Sequence, residues 1–163
     1  MKLQELISQT DLDMNISHIK AFFLGVMCAE KPMPFNKAVE EMLSEAPEAA
    51  KLLEGELKVL WDDLLKNKPA ELQKLFPASK DTKEFLMQAK DQLDFFLTAM
   101  SLSGTHTESV KNEDLADLID ELEDTVMELD EHLSEDDLNA EESEELKEAL
   151  LETWTEYLEV AKK

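Results

Sequence analysis

Leu115, Ile119, Leu122, Val126, Leu129 and Leu133 recur at spacings of 4, 3, 4, 3 and 4 through the most acidic part of the chain. With 3.6 residues per turn, that alternation sets all six on one side of an α-helix. From Glu108 to Glu145, eighteen acidic residues meet a single base, Lys111. A run of like charge is usually a solvated tail or a solvated face. The apolar seam decides between them, because fully burying five or six such side chains is worth on the order of 10 kcal/mol before chain entropy is subtracted. A tail has no use for such a seam, so an ordered helix is expected over about 112–133. Asn112 is its expected cap, and Glu113-Asp114 suit the positive end of the helix dipole.

The nearest partner for the seam lies just downstream. Leu133 to Leu138 reads as a turn, and Asn139 with Glu142 three residues on resembles a capping arrangement for a helix of about 140–162. That helix carries Leu146, Leu150, Trp154, Tyr157, Leu158 and Ala161, so the two are expected to form an antiparallel hairpin. The alternative is a homodimer through the seam. The β-branched Ile119 and Val126 alternate with Leu as in parallel two-stranded coiled coils, although Leu118 widens the stripe.

Upstream, helical periodicity recurs between short breaks. Leu3, Leu6 and Ile7 predict a brief helix, and Asn15 or Asp13 caps a second through Ile16, Ile19, Phe22, Phe23, Val26 and Met27, ending before Pro32-Met33-Pro34. Asn36 is expected to cap a short helix through Val39, Met42 and Leu43. Pro47 opens another with Ala50, Leu53, Leu57, Leu60, Trp61 and Leu64 inward and Gly55 outward. Asn67-Lys68-Pro69 breaks it, and a short helix follows to Pro77. From about Ser79 a long helix runs through Phe85, Leu86, Ala89, Leu93, Phe96, Leu97 and Met100 to Ser103-Gly104. Met27, Met42, Met87 and Met100 lie on or beside these stripes and read as core filler. The expected fold is all-α, an irregular multi-helix bundle with a C-terminal acidic antiparallel helical hairpin. It forms a single domain over 1–163, in which 1–104 is a helical core and 108–163 the hairpin packed on it.

Charge narrows the partners. Thirty-nine Asp and Glu against sixteen Lys and no Arg give a formal charge of −23. Phosphate neutralisation by clustered Lys and Arg supplies much of the affinity of nucleic-acid binders, so direct nucleic-acid binding is not expected. The longest nearly uncharged apolar run, Ala21 to Ala29, has nine residues against the ~20 that span a bilayer, so no membrane partner is expected. The start, Met1 to Leu6, lacks the apolar stretch of a secretory signal, which makes a cytoplasmic location the simplest expectation. A single Cys28 excludes an intrachain disulfide and a Cys-based zinc site.

Site chemistry is sparse. An EF-hand register from Asp130 to Glu141 puts Glu135 where Gly is required, and one from Asp11 reaches Ile16 at the sixth position and Phe22 at the twelfth. Both fail, and Glu135-Asp136-Asp137 reads as a solvated turn. His132, four residues from Glu128 and from Asp136, reads as a surface imidazole in a negative field. His18 and Cys28 lie ten residues apart, ~15 Å along one helix, and cannot form a nucleophile pair. Cys28 is expected as a small buried hydrophobe. No metal, cofactor or catalytic residue is expected.

Three stretches resemble the YecA/YgfB-like family of acidic, all-helical bacterial proteins of poorly defined function. Lys20 to Ala29 (Lys-Ala-Phe-Phe-Leu-Gly-Val-Met-Cys-Ala) is similar to the family's early His-Gly-x-x-x-Gly-x-x-Cys-Gly helix, with Pro32-Met33-Pro34 after it. Leu93 to Met100 is similar to a central Phe-Leu-x-Gly helix, and Glu156 to Ala161 to a C-terminal Glu-Tyr-hydrophobic-x-Val-Ala segment. Lys20-Ala21 stands for His-Gly, Ala29 and Ala99 for two further Gly, and Gln92 for an aromatic. The Cys-rich zinc motif of some relatives is missing. The resemblance implies an all-α fold and the cytoplasm, with no metal and no assigned reaction.

The leading functional expectation is a non-catalytic binding module whose acidic face docks a basic protein surface, with nucleic-acid mimicry as one version. The candidate face comprises Asp117, Asp120, Glu121, Glu123, Asp124, Glu128, Asp130, Glu131, Glu135, Asp136 and Asp137. The rival is a small-molecule or metal-dependent enzyme with a pocket around Phe22, Phe23, Phe95 and Phe96 and converging Cys28 and His106. A structural homo-oligomer is the third.

Overall fold

The computed structural model describes residues 3–10, 14–29, 32–76, 81–104, 113–134 and 139–161, the side chains of Gln4 and Ala161 excepted. Among them are eight α-helices and no strand: α1 Leu3–Ser8, α2 Ile16–Cys28, α3 Phe35–Met42, α4 Pro47–Lys66, α5 Lys68–Gln73, α6 Thr82–Leu102, α7 Glu113–Leu133 and α8 Ala140–Ala161. The fold is all-α, with one apolar core drawing on every helix.

Local chemistry sets most of the boundaries. Asn15 Oδ1 accepts from the His18 backbone N–H at 3.0 Å, while the Asn15 N–H donates to His18 Nδ1 at 3.4 Å. This is a capping box with His in place of the usual Glu or Gln. Asp81 caps α6 by accepting from Lys83 N and Glu84 N, and Asn139 caps α8 by accepting from Glu141 N and Glu142 N. Pro47 occupies the first turn of α4 as expected. Helix α3 departs from expectation: Pro34 is the capping residue, Asn36 lies inside the helix, and no side chain caps it. The expected caps Asp13 and Asn112, the start near Ser79 and the break at Pro77 fall outside the described residues.

Helix α2 is buried nearly all round. Ala21 through Met27 are seven consecutive buried residues, as befits a helix that is apolar on every side. Its main partner is α6. At the crossing, a Cβ on Gly25 would run into the Phe96 carbonyl oxygen and stand 2.9 Å from Ala99 Cβ. Only glycine permits this approach. Gly55, by contrast, faces open solvent from α4.

Helix α6 is shared between the two halves of the chain. It packs on α2, and it also packs on α7 and α8, so the hairpin is part of a three-helix layer rather than an appendage. Near the hairpin turn, Lys90 on α6 meets Asp130 on α7 at 2.8 Å, and Thr82 on α6 hydrogen-bonds Glu144 on α8. At the far end, Trp154 and Tyr157 of α8 meet Phe96 edge-to-face, and Trp154 Nε1–H donates to the Leu72 carbonyl of α5 at 3.0 Å. These two aromatics were expected against the α7 seam. They lock α8 onto α5 and α6 instead, because the indole N–H needs an acceptor that an apolar seam lacks.

Met27 and Met100 lie in the core as expected and Met42 borders it, but Met87 projects into solvent. Among the described residues, no helix is long and apolar enough to cross a membrane.

Candidate functional site

Helix α7 turns its seam inward. Ile119, Leu122 and Leu129 are fully buried, Leu115, Val126 and Leu133 pack at the margin, and Leu118 and Ala116 widen the contact. The partners are α6 and α8 of the same chain. Self-association through this seam therefore has no exposed stripe to use.

With the seam fixed, the carboxylates are placed by helical geometry. Asp117, Asp120, Asp124, Glu128 and Glu131 follow at spacings of 3, 4, 4 and 3, and the 100° step per residue puts them opposite the seam. Glu121 flanks this stripe on one side, Glu123 and Asp130 on the other. All eight are exposed. Successive members of the stripe are separated by roughly 4.5–6 Å of helix rise. Asp130 is bound to Lys90, whose ammonium is held above its ordinary range, first by that hydrogen bond and further by Asp130, Asp91 and Asp94. Glu135, Asp136 and Asp137 fall outside the described residues.

One apolar side chain interrupts the charge. Met127 is 64% exposed, within three or four residues of Glu123, Asp124, Asp130 and Glu131. A thioether among carboxylates gives the face a flexible apolar contact that charge counting does not reveal.

His132 is not the surface imidazole that its acidic neighbours suggest. It is 6% exposed and lies between the two hairpin helices. Its Nε2 is 2.8 Å from Ser143 Oγ, and its Nδ1 is 3.9 Å from Glu142 Oε2. Ser, His and Glu in that order mimic a nucleophile, base and orienting acid. Ser143 is itself only 4% exposed, neither Ser143 nor His132 lines any of the described cavities, and 3.9 Å is too long for an orienting hydrogen bond. The contact is a polar clamp between α7 and α8. Sequence spacing concealed it because the turn folds the chain back on itself.

The aromatic pocket of the rival reading is filled by its own rings. Phe22, Phe23 and Phe96 are buried; Phe23 meets Phe35 and Trp61 edge-to-face, and Phe96 meets Trp154 and Tyr157. Phe95 stacks on His18 with ring centroids 4.7 Å apart, and His18 Nε2 reaches to 4.0 Å from Asp91. His18 thus ties the start of α2 to α6. None of the four rings lines a described cavity, and His106 falls outside the described residues.

Cys28 is half-buried at the end of α2, not enclosed as a core hydrophobe. Burial pushes its thiol pKa up; the Lys68 charge and a hydrogen bond with Tyr157 pull in the other direction but less. The Tyr157 phenol is raised well above its ordinary value, chiefly by burial. Among the described residues, no group of three or more His, Cys, Asp or Glu converges to hold a metal.

Comparison of the chain with models of protein families, with curated proteins and with solved structures finds no match.

Proposed function

We propose that the protein is a non-catalytic binding module that docks a basic surface of another protein on the outer face of α7. The observation that carries this reading is the division of α7 into a fully packed seam and an opposed row of exposed carboxylates, Asp117, Asp120, Asp124, Glu128 and Glu131. A dense negative face raises encounter rates with cationic partners and rejects anionic ones. Met127 supplies an apolar anchor within that field. Mimicry of a phosphate backbone is the version in which the partner is itself a nucleic-acid binder. A cytoplasmic location and the YecA/YgfB-like resemblance belong to the same proposal. Both accord with an acidic all-helical protein, and neither adds a reaction.

The test is capture of basic proteins from the native host at low and high salt, with two charge-matched variants. One carries Asp117→Asn, Asp120→Asn, Asp124→Asn, Glu128→Gln and Glu131→Gln; the other carries Glu145→Gln, Glu148→Gln, Glu152→Gln, Glu156→Gln and Glu159→Gln on α8. The expected outcome is a defined basic partner lost at high salt and lost in the α7 variant, but retained by the α8 variant. Equal loss in both variants reduces the effect to net charge and ends the proposal, as does retention that ignores salt.

A further inference from the structure

A second feature lies away from the acidic face, where the ends of α2 and α8 meet the junction of α4 and α5. A cavity of about 510 Å³ opens there, within the size range of small-molecule sites. Its walls are mainly apolar, with Met27, Leu65, Pro69, Leu72 and Leu158 as their principal members. Leu65 stands 51% exposed among them, an apolar side chain without full cover.

One cation faces this apolar lining. Lys68 is half-buried, and its Nζ donates a long hydrogen bond of 3.4 Å to the Met27 carbonyl. An ammonium carries three N–H groups. Among the described residues, no carboxylate lies within ion-pair distance of Lys68, although the chain has thirty-nine acidic residues. The Cys28 thiol beside it does not supply the missing charge. It is pushed up by burial despite the pull of Lys68, so it is neutral at physiological pH, and the Tyr157 phenol that bonds it is held well above its ordinary value by its own burial. The bond to Met27 also serves the C-terminal end of α2, where a cation is favourable, but it engages one donor of three.

We propose that this cavity binds a small carboxylic acid with an unbranched apolar tail, its carboxylate on the Lys68 ammonium and its tail along Met27, Leu65, Pro69, Leu72 and Leu158. The carboxylate supplies a counter-charge that no described residue brings within ion-pair distance of Lys68, and the tail covers Leu65. A neutral apolar ligand leaves the cation unpaired, and a cationic one is repelled by it.

Cys28 lines the cavity and is the one cysteine of the sequence, so its alkylation reports occupancy by a single mass shift. The full chain is treated with N-ethylmaleimide in the presence of octanoate, octanol or octylamine. Octanoate is expected to slow Cys28 alkylation saturably, and octanol, with the same tail and no charge, to need at least about tenfold more for the same effect, because a charge-assisted hydrogen bond is worth roughly that factor or more. Octylamine is expected to protect least. Lys68→Met should raise the half-saturating octanoate concentration by a similar factor and leave octanol unchanged, whereas Lys68→Arg should retain protection. Fluorescence offers a second readout, since Trp154 bonds the carbonyl of Leu72 in the cavity wall. Failure of octanoate to protect, octanol protecting as well as octanoate, or undiminished octanoate protection in a folded Lys68→Met variant each overturns the proposal. Should Lys68→Met fail to fold, the comparison of octanoate with octanol on the unaltered protein decides.

Discussion

Helix α2 and helix α7 both pack on α6, but α2 is buried over nearly its whole circumference, with α3 and α4 also against it, and α7 along one stripe. In α2 the neighbours are so close that Gly25 meets the α6 backbone, and every residue from Ala21 to Met27 is buried. In α7 the packed side is equally dry at Leu122 and Leu129, but the other side belongs to solvent. The difference separates two kinds of constraint on a helical residue. On α2, identity is dictated by the shape of the neighbours at each position. On α7, the inner residues are dictated in the same way, whereas the outer row of Asp117, Asp120, Asp124, Glu128 and Glu131 is exposed and has no neighbouring shape to fill. A partner is the kind of demand that can account for them.

The largest effect is expected from hollowing out the packed side of α7. Leu122→Ala removes a fully buried side chain between α6, α7 and α8 and should cost about 3 kcal/mol, measured by urea denaturation. A loss below about 1 kcal/mol would mean that the hairpin is loosely seated, and the ordered charged face would go with it. Two glycines probe the α2 side in the same way. Gly25→Ala forces the Phe96 carbonyl of α6 to move and should destabilise by about 2 kcal/mol, whereas Gly55→Ala meets nothing and should stabilise by about 0.5–1 kcal/mol through helix propensity. Equal effects at the two sites would deny the close α2–α6 approach.

The smallest expected effect is at the edge between the packed and charged sides. Lys90→Met removes the ion pair with Asp130, and because Asp130 is well exposed the loss should stay below about 1 kcal/mol. Its pH dependence has a definite sign. The folded-state pKa of Lys90 is raised, so its contribution is fully present below the ordinary lysine value of 10.5 and disappears as pH rises through the folded value. The difference between Lys90→Met and the unaltered protein should therefore be constant from pH 6 to 9 and shrink only in strong alkali. A difference that shrinks within pH 6–9 would assign it to another group.

The residues that were legible and those that were not differ in a consistent way. The periods of α2, α4, α6, α7 and α8, the caps at Asn15 and Asn139 and the inward seam could be read directly, because each depends on residues within a turn or two. The outward position of Gly55 follows from the same period. Asn36 misled because a good capping residue lies two positions beyond Pro34, where the chain enters the helix. His132 misled because its sequence neighbours are acidic while its spatial neighbour, Ser143, lies across the turn. The stripe of α8 marks Trp154 and Tyr157 as buried, but an apolar stripe does not say which apolar stripe it meets, and both rings meet Phe96 of α6. The role of His18 as both cap and ring partner of Phe95 carried no signal beyond its place three residues after Asn15.

Helical period and composition are local quantities, so the residue order alone reveals that this chain is helical, where its charge is concentrated, and that the charge rides on an amphipathic helix. Only the packing of distant segments shows that α6 joins the two halves, that Gly25 rather than Gly55 is the glycine the fold requires, and that Lys68 faces an apolar cavity beside the Cys28 thiol. Those facts depend on which surfaces meet across dozens of residues, and no local pattern encodes the distance between them.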